Sequence, residues 1–295
     1  MVNILTGTAF DATERMHHRE DELTAQFPSS VSSRARGLLA LRAQNWRAAK
    51  KSGPTARDYV QDGILFHWDA IENTGYGQHE YRPSAWVDLV GSGLNIPLTS
   101  RTDEWSFADG EFSSQRNETL LFKSHPQTAV LDGTISTTVE WVTRIDGDGF
   151  SSSSMVSCLS LNGGGGGRHA EAGGFSNWTQ GGSNYLWRVG VSSAWNGPIW
   201  TKIGDGFNGG ARFHYSATIS IGADGVTCEC VQYMNGVEVK RTTGSNLSIK
   251  APNDWYVFLG NGRERPSVIR YYTRALSAAE VAANYAVDKA RFGLA

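Results

Sequence analysis

The chain has 295 residues, of which 40% are hydrophobic and 19% charged, and its 27 Lys and Arg residues nearly balance 29 Asp and Glu residues, for a net charge of −2. This composition supports a folded core, and the charge gives no general attraction to nucleic acid, which is therefore not an expected partner. No apolar run approaches the ~18–20 residues of a membrane span, and three cysteines are too few for a disulfide scaffold. The first residues lack the basic and apolar regions of a secretory signal, so we expect synthesis in the cytoplasm without secretory export.

The composition changes near Ser52-Gly53-Pro54, which predicts two domains. Residues 59–295 hold 31 of the 34 glycines and nine of the ten tryptophans. Glycine is typical of turns and tryptophan of large apolar cores, so the two parts are expected to differ in structure. We therefore predict an N-terminal helical segment for anchoring or assembly, residues 1–58, and a β-sandwich domain, residues 59–295.

The N-terminal segment is expected to contain an amphipathic helix over Val31–Lys51. Residues 29–53 carry six basic side chains and no acidic one, and the apolar residues share one arc of the helix. Two interpretations stay open: the basic face contacts an acidic partner, a membrane surface or nucleic acid, or the apolar stripe docks on the chain's own domain or on a sister subunit. We expect the helix to attach the chain to a larger assembly, with a homotrimer as the working assumption. The residues expected to make this attachment are Leu38, Leu39, Arg42, Trp46 and Arg47.

From Tyr59 onward the pattern changes from helical to alternating. Apolar and polar residues alternate strictly over Tyr215–Ile221 and again over Val139–Ile145, which is typical of strands with one buried face. Asn235-Gly236 separates two alternating runs and predicts a tight hairpin. Further strands are predicted at residues 63–68, 120–122, 187–191, 226–234, 255–259 and 268–272. Many short strands with glycine turns and no helices between them favour an antiparallel sandwich.

The chain ends with a predicted helix. Ser277 and Glu280 have the spacing of a capping box, in which each side chain satisfies a backbone amide of the other residue. The helix is expected to continue to about Arg291, where Gly293 can adopt the left-handed conformation that ends it.

Several short motifs resemble one known family. They are Asp62–Asp69 (DGILFHWD), Trp86–Gly93 (WVDLVGSG), Tyr233–Gly236 (YMNG) and, most specifically, Ile269–Ser277 (IRYYTRALS). Together these residues resemble the laminin G-like jelly roll of the concanavalin A-like lectin/glucanase superfamily, over about 59–295. The resemblance implies two curved antiparallel sheets, often a bound calcium, and recognition of carbohydrate or protein. By this resemblance alone, the calcium ligands are expected to be Asp69, Asn73, Asp88 and Asp109.

The residues do not predict an enzyme. Superfamily members that cleave glucans carry paired carboxylates at a spacing close to Glu-x-Asp-x-x-Glu on one strand, which places acid and nucleophile on the same face. No such run occurs in this sequence, and the nearest carboxylate cluster, Glu140, Asp146 and Asp148, continues into a glycine-rich turn.

Two stretches are candidates for ligand binding, because sugars stack their C–H faces on aromatic rings. The first is the segment 173–200, rich in Gly, Ser and Asn, and the second is the loop 76–81; the alternatives are that some of these rings belong to the core and that the loop only covers a sandwich edge. The candidate glycan-binding residues are Trp178, Tyr185, Trp195, Trp200, Tyr76, His79 and Tyr81.

Three functional hypotheses follow. The preferred one is a non-catalytic module that binds glycans or cell-surface polymers, located on the surface of a virion as a phage head or tail decoration or adhesion protein. Virion proteins reach the outside by cell lysis, which would reconcile an adhesion-type domain with the missing signal; a cytoplasmic or bacterial cell-surface location is the alternative. The second hypothesis is a purely structural decoration subunit without a glycan ligand, and the third is an atypical glycoside hydrolase.

Overall fold

Antiparallel strands make up most of the part of the chain that the structure describes. A computed structural model describes residues 53–98, 105–114, 118–123, 136–145, 154–160, 175–180, 184–189, 199–205, 211–225, 227–245, 254–259 and 264–295, with the backbone alone for the strands of the second sheet. The strands are β1 (Ile64–Asp69), β2 (Ala85–Trp86), β3 (Ile96–Pro97), β4 (Trp105–Ala108), β5 (Glu111–Ser114), β6 (Glu118–Lys123), β7 (Thr137–Ile145), β8 (Ser154–Ser160), β9 (Phe175–Gln180), β10 (Asn184–Val189), β11 (Ile199–Asp205), β12 (Arg212–Ile221), β13 (Thr227–Met234), β14 (Val237–Ser245), β15 (Asp254–Leu259) and β16 (Glu264–Tyr272). One helix, α1 (Ala278–Phe292), follows them.

The strands form two six-stranded sheets and two small hairpins. The first sheet has the order β1-β16-β7-β12-β13-β14, and the second has the order β11-β10-β9-β8-β15-β6. All the pairings are antiparallel, and β2 with β3 and β4 with β5 form the hairpins. This mainly-β fold, an antiparallel jelly-roll sandwich with one short C-terminal helix, confirms the predicted fold class.

One face of the first sheet lies on the aromatic core. The alternation read from the sequence places apolar side chains of β1, β7, β12 and β16 on this face, where they pack with rings from β2, β4 and β5. The ring centroids of the stacked pair Phe66 and Trp68 are 4.1 Å apart, and those of the stacked pair Trp86 and Phe112 are 5.6 Å apart. The two indole nitrogens donate to backbone oxygens, Trp68 to Leu94 and Trp86 to Asp69, so the buried polar atoms of these rings are satisfied.

The other face of the first sheet is also buried, which differs from the expected strand with one buried face. Helix α1 and the residues that precede β1 cover it. Glu140 and His214, which the alternation assigns to the polar face, are therefore completely buried. The sequence pattern gave the correct alternation, but it did not reveal that a helix from the end of the chain packs over the polar positions.

Two local predictions are confirmed. The hairpin β13–β14 turns at Asn235 and Gly236, which have φ values of 48° and 74°. Gly236 is required for a second reason, because a Cβ there would lie 2.7 Å from the Tyr285 ring of helix α1. Ser277 and Glu280 form the capping box, and Gly293 ends the helix in the left-handed conformation. The hydrogen bond from Arg274 lowers the pKa of Glu280 to about 2, which keeps this cap charged.

The chain divides into two units, Met1–Gly53 and Pro54–Ala295. Residues just before Tyr59 belong to the second unit, since Ala56 is fully buried and its amide donates to Glu72 at 3.1 Å. The candidate attachment residues, Leu38, Leu39, Arg42, Trp46 and Arg47, lie outside the described residues, so their role stays a prediction. In the described part of the chain, no helix is both long and apolar enough to cross a membrane.

The capping box predicts the effect of one substitution. Ser277→Ala removes the side chain that accepts from the Glu280 amide, and we expect the free energy of unfolding to fall by about 1 kcal/mol. Urea denaturation monitored by tryptophan fluorescence measures this change. Ser84→Ala removes the hydroxyl of another exposed serine and serves as the control; an equal loss in both variants would contradict the capping role.

Candidate functional site

A surface loop, residues 72–82, directly follows strand β1 and its turn, and its residues 77–82 are exposed. We call it the β1 loop. The Asn73 side chain closes the loop through two hydrogen bonds. The Glu80 amide donates to Asn73 Oδ1 at 3.0 Å, and Asn73 Nδ2 donates to the Glu80 carbonyl at 2.8 Å. Within the loop, Gln78 pairs with Gly75 in a short bridge. The amide of Phe107 in β4 also donates to the Tyr81 carbonyl at 2.9 Å, so the far end of the loop is fixed to a strand.

Glu72 anchors the base of the β1 loop from below. This buried carboxylate accepts from the Gly77 amide at 2.9 Å, from the Ala56 amide at 3.1 Å and from Arg291 of helix α1 at 3.0 Å. Three donors from separate parts of the chain therefore converge on one side chain. The backbone of the loop is held by hydrogen bonds at its start, at its end and from beneath, so its conformation is largely fixed before any ligand arrives.

The β1 loop contains three of the candidate glycan-binding residues predicted from the sequence, Tyr76, His79 and Tyr81. Tyr81 is 57% exposed and is the one aromatic residue among the exposed large hydrophobic side chains of the described chain. His79 is exposed beside it, whereas Tyr76 is half-buried against Ala56, Tyr59 and Leu89. The structure thus places Tyr76, His79 and Tyr81 in one braced surface loop. The ring of Tyr76 leans on the sandwich, and that of Tyr81 is open to solvent.

Two buried arginines lie at the interface between helix α1 and the first sheet. Arg270 binds Glu140 at 2.8 Å and Asp288 at 2.6 Å, and Asn284 of the helix donates to the same Glu140 oxygen and to the Tyr272 hydroxyl. All of these groups are fully buried. Glu140, which belonged to the nearest carboxylate cluster in the sequence, is therefore occupied by an internal ion pair.

The second arginine, Arg291, joins the helix to the turn after β1. It binds Asp69 at 2.5 Å and Glu72 at 3.0 Å. Tyr59 links the two arginine clusters: its hydroxyl donates to Asp288 at 2.7 Å and accepts from Arg291 at 2.9 Å, and its ring lies 3.9 Å from the Arg270 guanidinium. The result is one continuous buried network from the sheet through the helix to the base of the β1 loop.

Charge within this network controls its ionisation. Burial alone would raise the pKa of Asp69, but the Arg291 charge, with a contribution from His67, holds that pKa well below its usual value. The same balance, with Arg270 as the main counter-charge, lowers the pKa of Glu140. His67 lies 3.6 Å from Asp69, yet burial lowers its pKa, so this imidazole is neutral at pH 7.

Three of the four candidate calcium ligands, Asp69, Asn73 and Asp88, use their side-chain oxygens in hydrogen bonds within the fold. Asp69 accepts from the amides of Ile71 and Glu72 as well as from Arg291. Asp88 accepts from the His67, Val90 and Ser92 amides and so stabilises its own turn. Asn73 closes the β1 loop, and Asp109 lies in the exposed β4–β5 turn with a φ of 54°. In the described ranges no three His, Cys, Asp or Glu residues are arranged to hold a metal ion, and the calcium site stays a prediction.

Three of the four candidate aromatic residues of segment 173–200 fall on three adjacent strands of the second sheet. Trp178 in β9 pairs with Leu186 in β10, and Trp200 in β11 pairs with Arg188. Because Leu186 and Arg188 are two residues apart, the register places Trp178 and Trp200 on the same face, roughly 12 Å apart at usual strand spacing. Tyr185 falls on the opposite face. Trp195 lies outside the described residues.

Three bracing residues were not predicted from the sequence. Glu72, Arg291 and Tyr59 show no local motif, and the contacts among them connect positions more than 200 residues apart. The one available signal was the Ile269–Ser277 motif, whose Arg270 proves to be the central cation of the network.

Comparisons with known proteins give the fold and no family. No family model matches the sequence, and a search of curated proteins finds no relative. Among solved structures, the Trypanosoma rangeli sialidase matches with a TM-score of 0.52 and 12% identity over 86% of this chain and 39% of that chain. The binding domain of botulinum neurotoxin DC, solved in complex with rat synaptotagmin II, gives 0.49 and 10% over 76% of this chain. This chain spans about half (51%) of that binding domain. The likeness is one of fold.

Removing the Arg291 charge tests the anchoring of the β1 loop. Arg291→Met leaves Asp69 and Glu72 buried without their cation, and we expect the free energy of unfolding to fall by about 3–5 kcal/mol. Denaturant unfolding measures this loss. Arg241→Met, which removes an arginine with two exposed ion pairs on β14, is the matched control and should cost less than about 1 kcal/mol. Similar losses in the two variants would contradict the network.

Burial of His67 predicts how stability depends on pH. Burial lowers the folded-state pKa of His67 below the ordinary histidine value of 6.5, so the unfolded chain binds the proton more readily. Stability should therefore be complete above pH 6.5 and decline as the pH falls below it, by up to about 1.4 kcal/mol per unit. A further decline should follow below about pH 4, where the carboxyl groups of Asp69 and Glu140 take up protons in the unfolded chain while their lowered pKa values keep them ionised in the folded protein.

Denaturation midpoints between pH 8 and pH 3 test this dependence. His67→Gln should flatten the first decline, whereas His79→Gln, at an exposed position of the β1 loop, should leave it unchanged. A stability that rises between pH 6.5 and pH 5 in the unmodified protein would show that the sign of the argument is wrong.

Proposed function

We propose that this protein is a non-catalytic recognition module that binds glycans or cell-surface polymers through the β1 loop and through aromatic residues of the second sheet. It acts on the surface of a virion, as a head or tail decoration or adhesion protein. The N-terminal segment predicted for attachment, residues 1–58, fixes it to the larger assembly through the residues before Pro54, since residues 54–58 belong to the second unit. The fold of laminin G-like domains, to which the sequence motifs are similar, is compatible with this role.

The observation that carries the proposal is the β1 loop itself. Its backbone is held by Asn73, Glu72 and β4, while Tyr81 and His79 face the solvent. A fixed loop loses little conformational entropy on binding, and a tyrosine ring offers both a face for sugar C–H groups and a hydroxyl for hydrogen bonds.

The second sheet supplies a further surface of suitable chemistry. Trp178 and Trp200 share one face at a spacing of roughly two strands. Aromatic residues at such positions would let a polymer contact more than one ring. Tyr185 belongs to the opposite face and is not part of this set.

A binding role without catalysis agrees with the use made of the buried carboxylates. Glu140, Asp288, Asp69 and Glu72 are paired with Arg270 or Arg291 beneath helix α1. A retaining or inverting glycosidase needs two carboxyl groups that reach the substrate from one cleft. These four carboxylates form internal ion pairs instead.

Substitution of Tyr81 tests the proposal. A glycan array probed with the full chain should show retention of a defined set of glycans, and Tyr81→Ala should weaken it about tenfold through loss of the stacking surface. Trp178→Ala should weaken binding to long polymers. Val237→Ala, a 66% exposed side chain on β14, is the control and should bind normally.

Two results would contradict the proposal. The first is a well-folded protein that retains no glycan or cell-surface polymer, which would favour the structural decoration subunit. The second is the release of reducing sugar from a bound glycan, which would identify an enzyme.

A further inference from the structure

We infer that the β1 loop binds an acidic saccharide, one that carries carboxylate or phosphate groups, and that Arg57 and Arg82 contact those groups. This inference rests on the proposed function and names the chemical class of its ligand. It follows from the way in which the structure uses its arginines.

Eight of the described arginines fall into two groups. Six of them form ion pairs with Asp or Glu: Arg144, Arg212, Arg241, Arg270, Arg274 and Arg291. Arg57 and Arg82 differ, because each guanidinium lies over a tyrosine of the β1 loop, and no ion pair joins either to a described carboxylate. These two charges are therefore available beside the β1 loop, whose backbone is held by hydrogen bonds.

Arg57 is held in position without using its guanidinium donors. The guanidinium carbon lies 4.4 Å from the centroid of the Tyr76 ring, within the range of a cation–π contact. The backbone around Arg57 is fixed, since its amide donates to Thr55 Oγ1 and its carbonyl accepts from Gln61. The acid next to it, Asp58, accepts from the amide and hydroxyl of Thr55. The guanidinium is therefore positioned by stacking, and its planar N–H groups remain available.

Arg82 gives a second exposed cation at the other end of the loop. Its guanidinium carbon lies 5.4 Å from the centroid of the exposed Tyr81 ring. Glu80 is the one acid among the exposed loop residues 77–82. Its backbone amide and carbonyl both form hydrogen bonds with the Asn73 side chain. Tyr76 and Tyr81 thus repeat one arrangement, in which an arginine guanidinium lies over the tyrosine ring.

This arrangement fits an anionic sugar better than a neutral one. A guanidinium fork binds carboxylate or phosphate oxygens through two parallel hydrogen bonds, and stacking on an aromatic ring orients that fork. The tyrosine rings contact the apolar face of the sugar. A neutral saccharide would contact the tyrosine rings but would offer no anionic group to either guanidinium. Carboxylate and phosphate groups share the required geometry, so the experiment separates these two sources.

Isothermal titration of the full chain with three polymers tests the inference. The probes are polygalacturonate for carboxylates, poly(glycerol phosphate) for phosphates, and dextran as the neutral polymer. Arg57→Gln and Arg82→Gln each remove one charge, and Arg57→Lys keeps the charge but loses the planar fork. Arg241→Gln is the matched control: it removes one exposed arginine from β14, the opposite edge of the same sheet.

We expect at least one acidic polymer to bind about tenfold or more tightly than dextran, and either Gln variant to weaken that binding about tenfold. Arg57→Lys should restore only part of the affinity, Arg241→Gln should bind normally, and added salt should weaken the interaction. The inference is overturned if Arg57→Gln and Arg82→Gln bind the acidic polymers as the unmodified protein does, or if dextran binds equally well.

The same titrations separate this inference from the proposed function. Dextran or another neutral glycan that binds and is lost in Tyr81→Ala, with no preference for the acidic polymers, would refute the acidic ligand and leave a recognition module. A folded protein that binds none of the polymers and no glycan on an array would refute both.

Discussion

Two buried arginines hold together the parts of this sandwich that are far apart in sequence. Arg270 on strand β16 and Arg291 on helix α1 each bind two carboxylates, and Tyr59 connects the two sets. Buried charges are costly to desolvate, so such a network specifies one arrangement more than it adds stability: any other placement of the helix would leave a charge without its partner. The helix, the entry to β1 and the base of the β1 loop are therefore fixed as one unit.

This network gives the C-terminal helix a role in the candidate binding site. Arg291 reaches from the last turn of the helix to Glu72, and Glu72 in turn holds the Gly77 amide within the β1 loop. The exposed face of the loop carries Tyr81 and His79, together with arginines that have no described acidic partner. A recognition loop requires a backbone that is held in place and exposed side chains that can contact a ligand, and the β1 loop has both.

Much of the fold could be predicted from the sequence, because its signals are local. The alternation over β7 and β12, the Asn235-Gly236 turn and the Ser277–Glu280 capping box each depend on neighbours a few residues away. The burial of Glu140 and His214 could not be predicted in this way, since it depends on a helix that packs on the sheet from more than 60 residues further along the chain. The role of Glu72 was hidden for the same reason.

The candidate site was only partly visible in the sequence. Tyr76, His79 and Tyr81 stood out as an aromatic and polar run, and the structure brings them together in one loop. Among the aromatic residues of segment 173–200, strand register separates Tyr185 from Trp178 and Trp200, which no spacing rule across two turns would have given. The role of Arg57 could not be predicted from the sequence, because the turn that precedes β1 brings its guanidinium over the Tyr76 ring.

The most direct test of the account is amide hydrogen exchange, resolved residue by residue, on the free protein and on the protein bound to a saccharide. The account predicts that the Gly77 and Glu80 amides, which donate to Glu72 and Asn73, are protected before any ligand is added. It also predicts that ligand-induced changes include the β1 loop. Rapid exchange of these two amides in the free protein, with ligand effects confined to other parts of the chain, would contradict the central claim that a pre-formed loop performs the recognition.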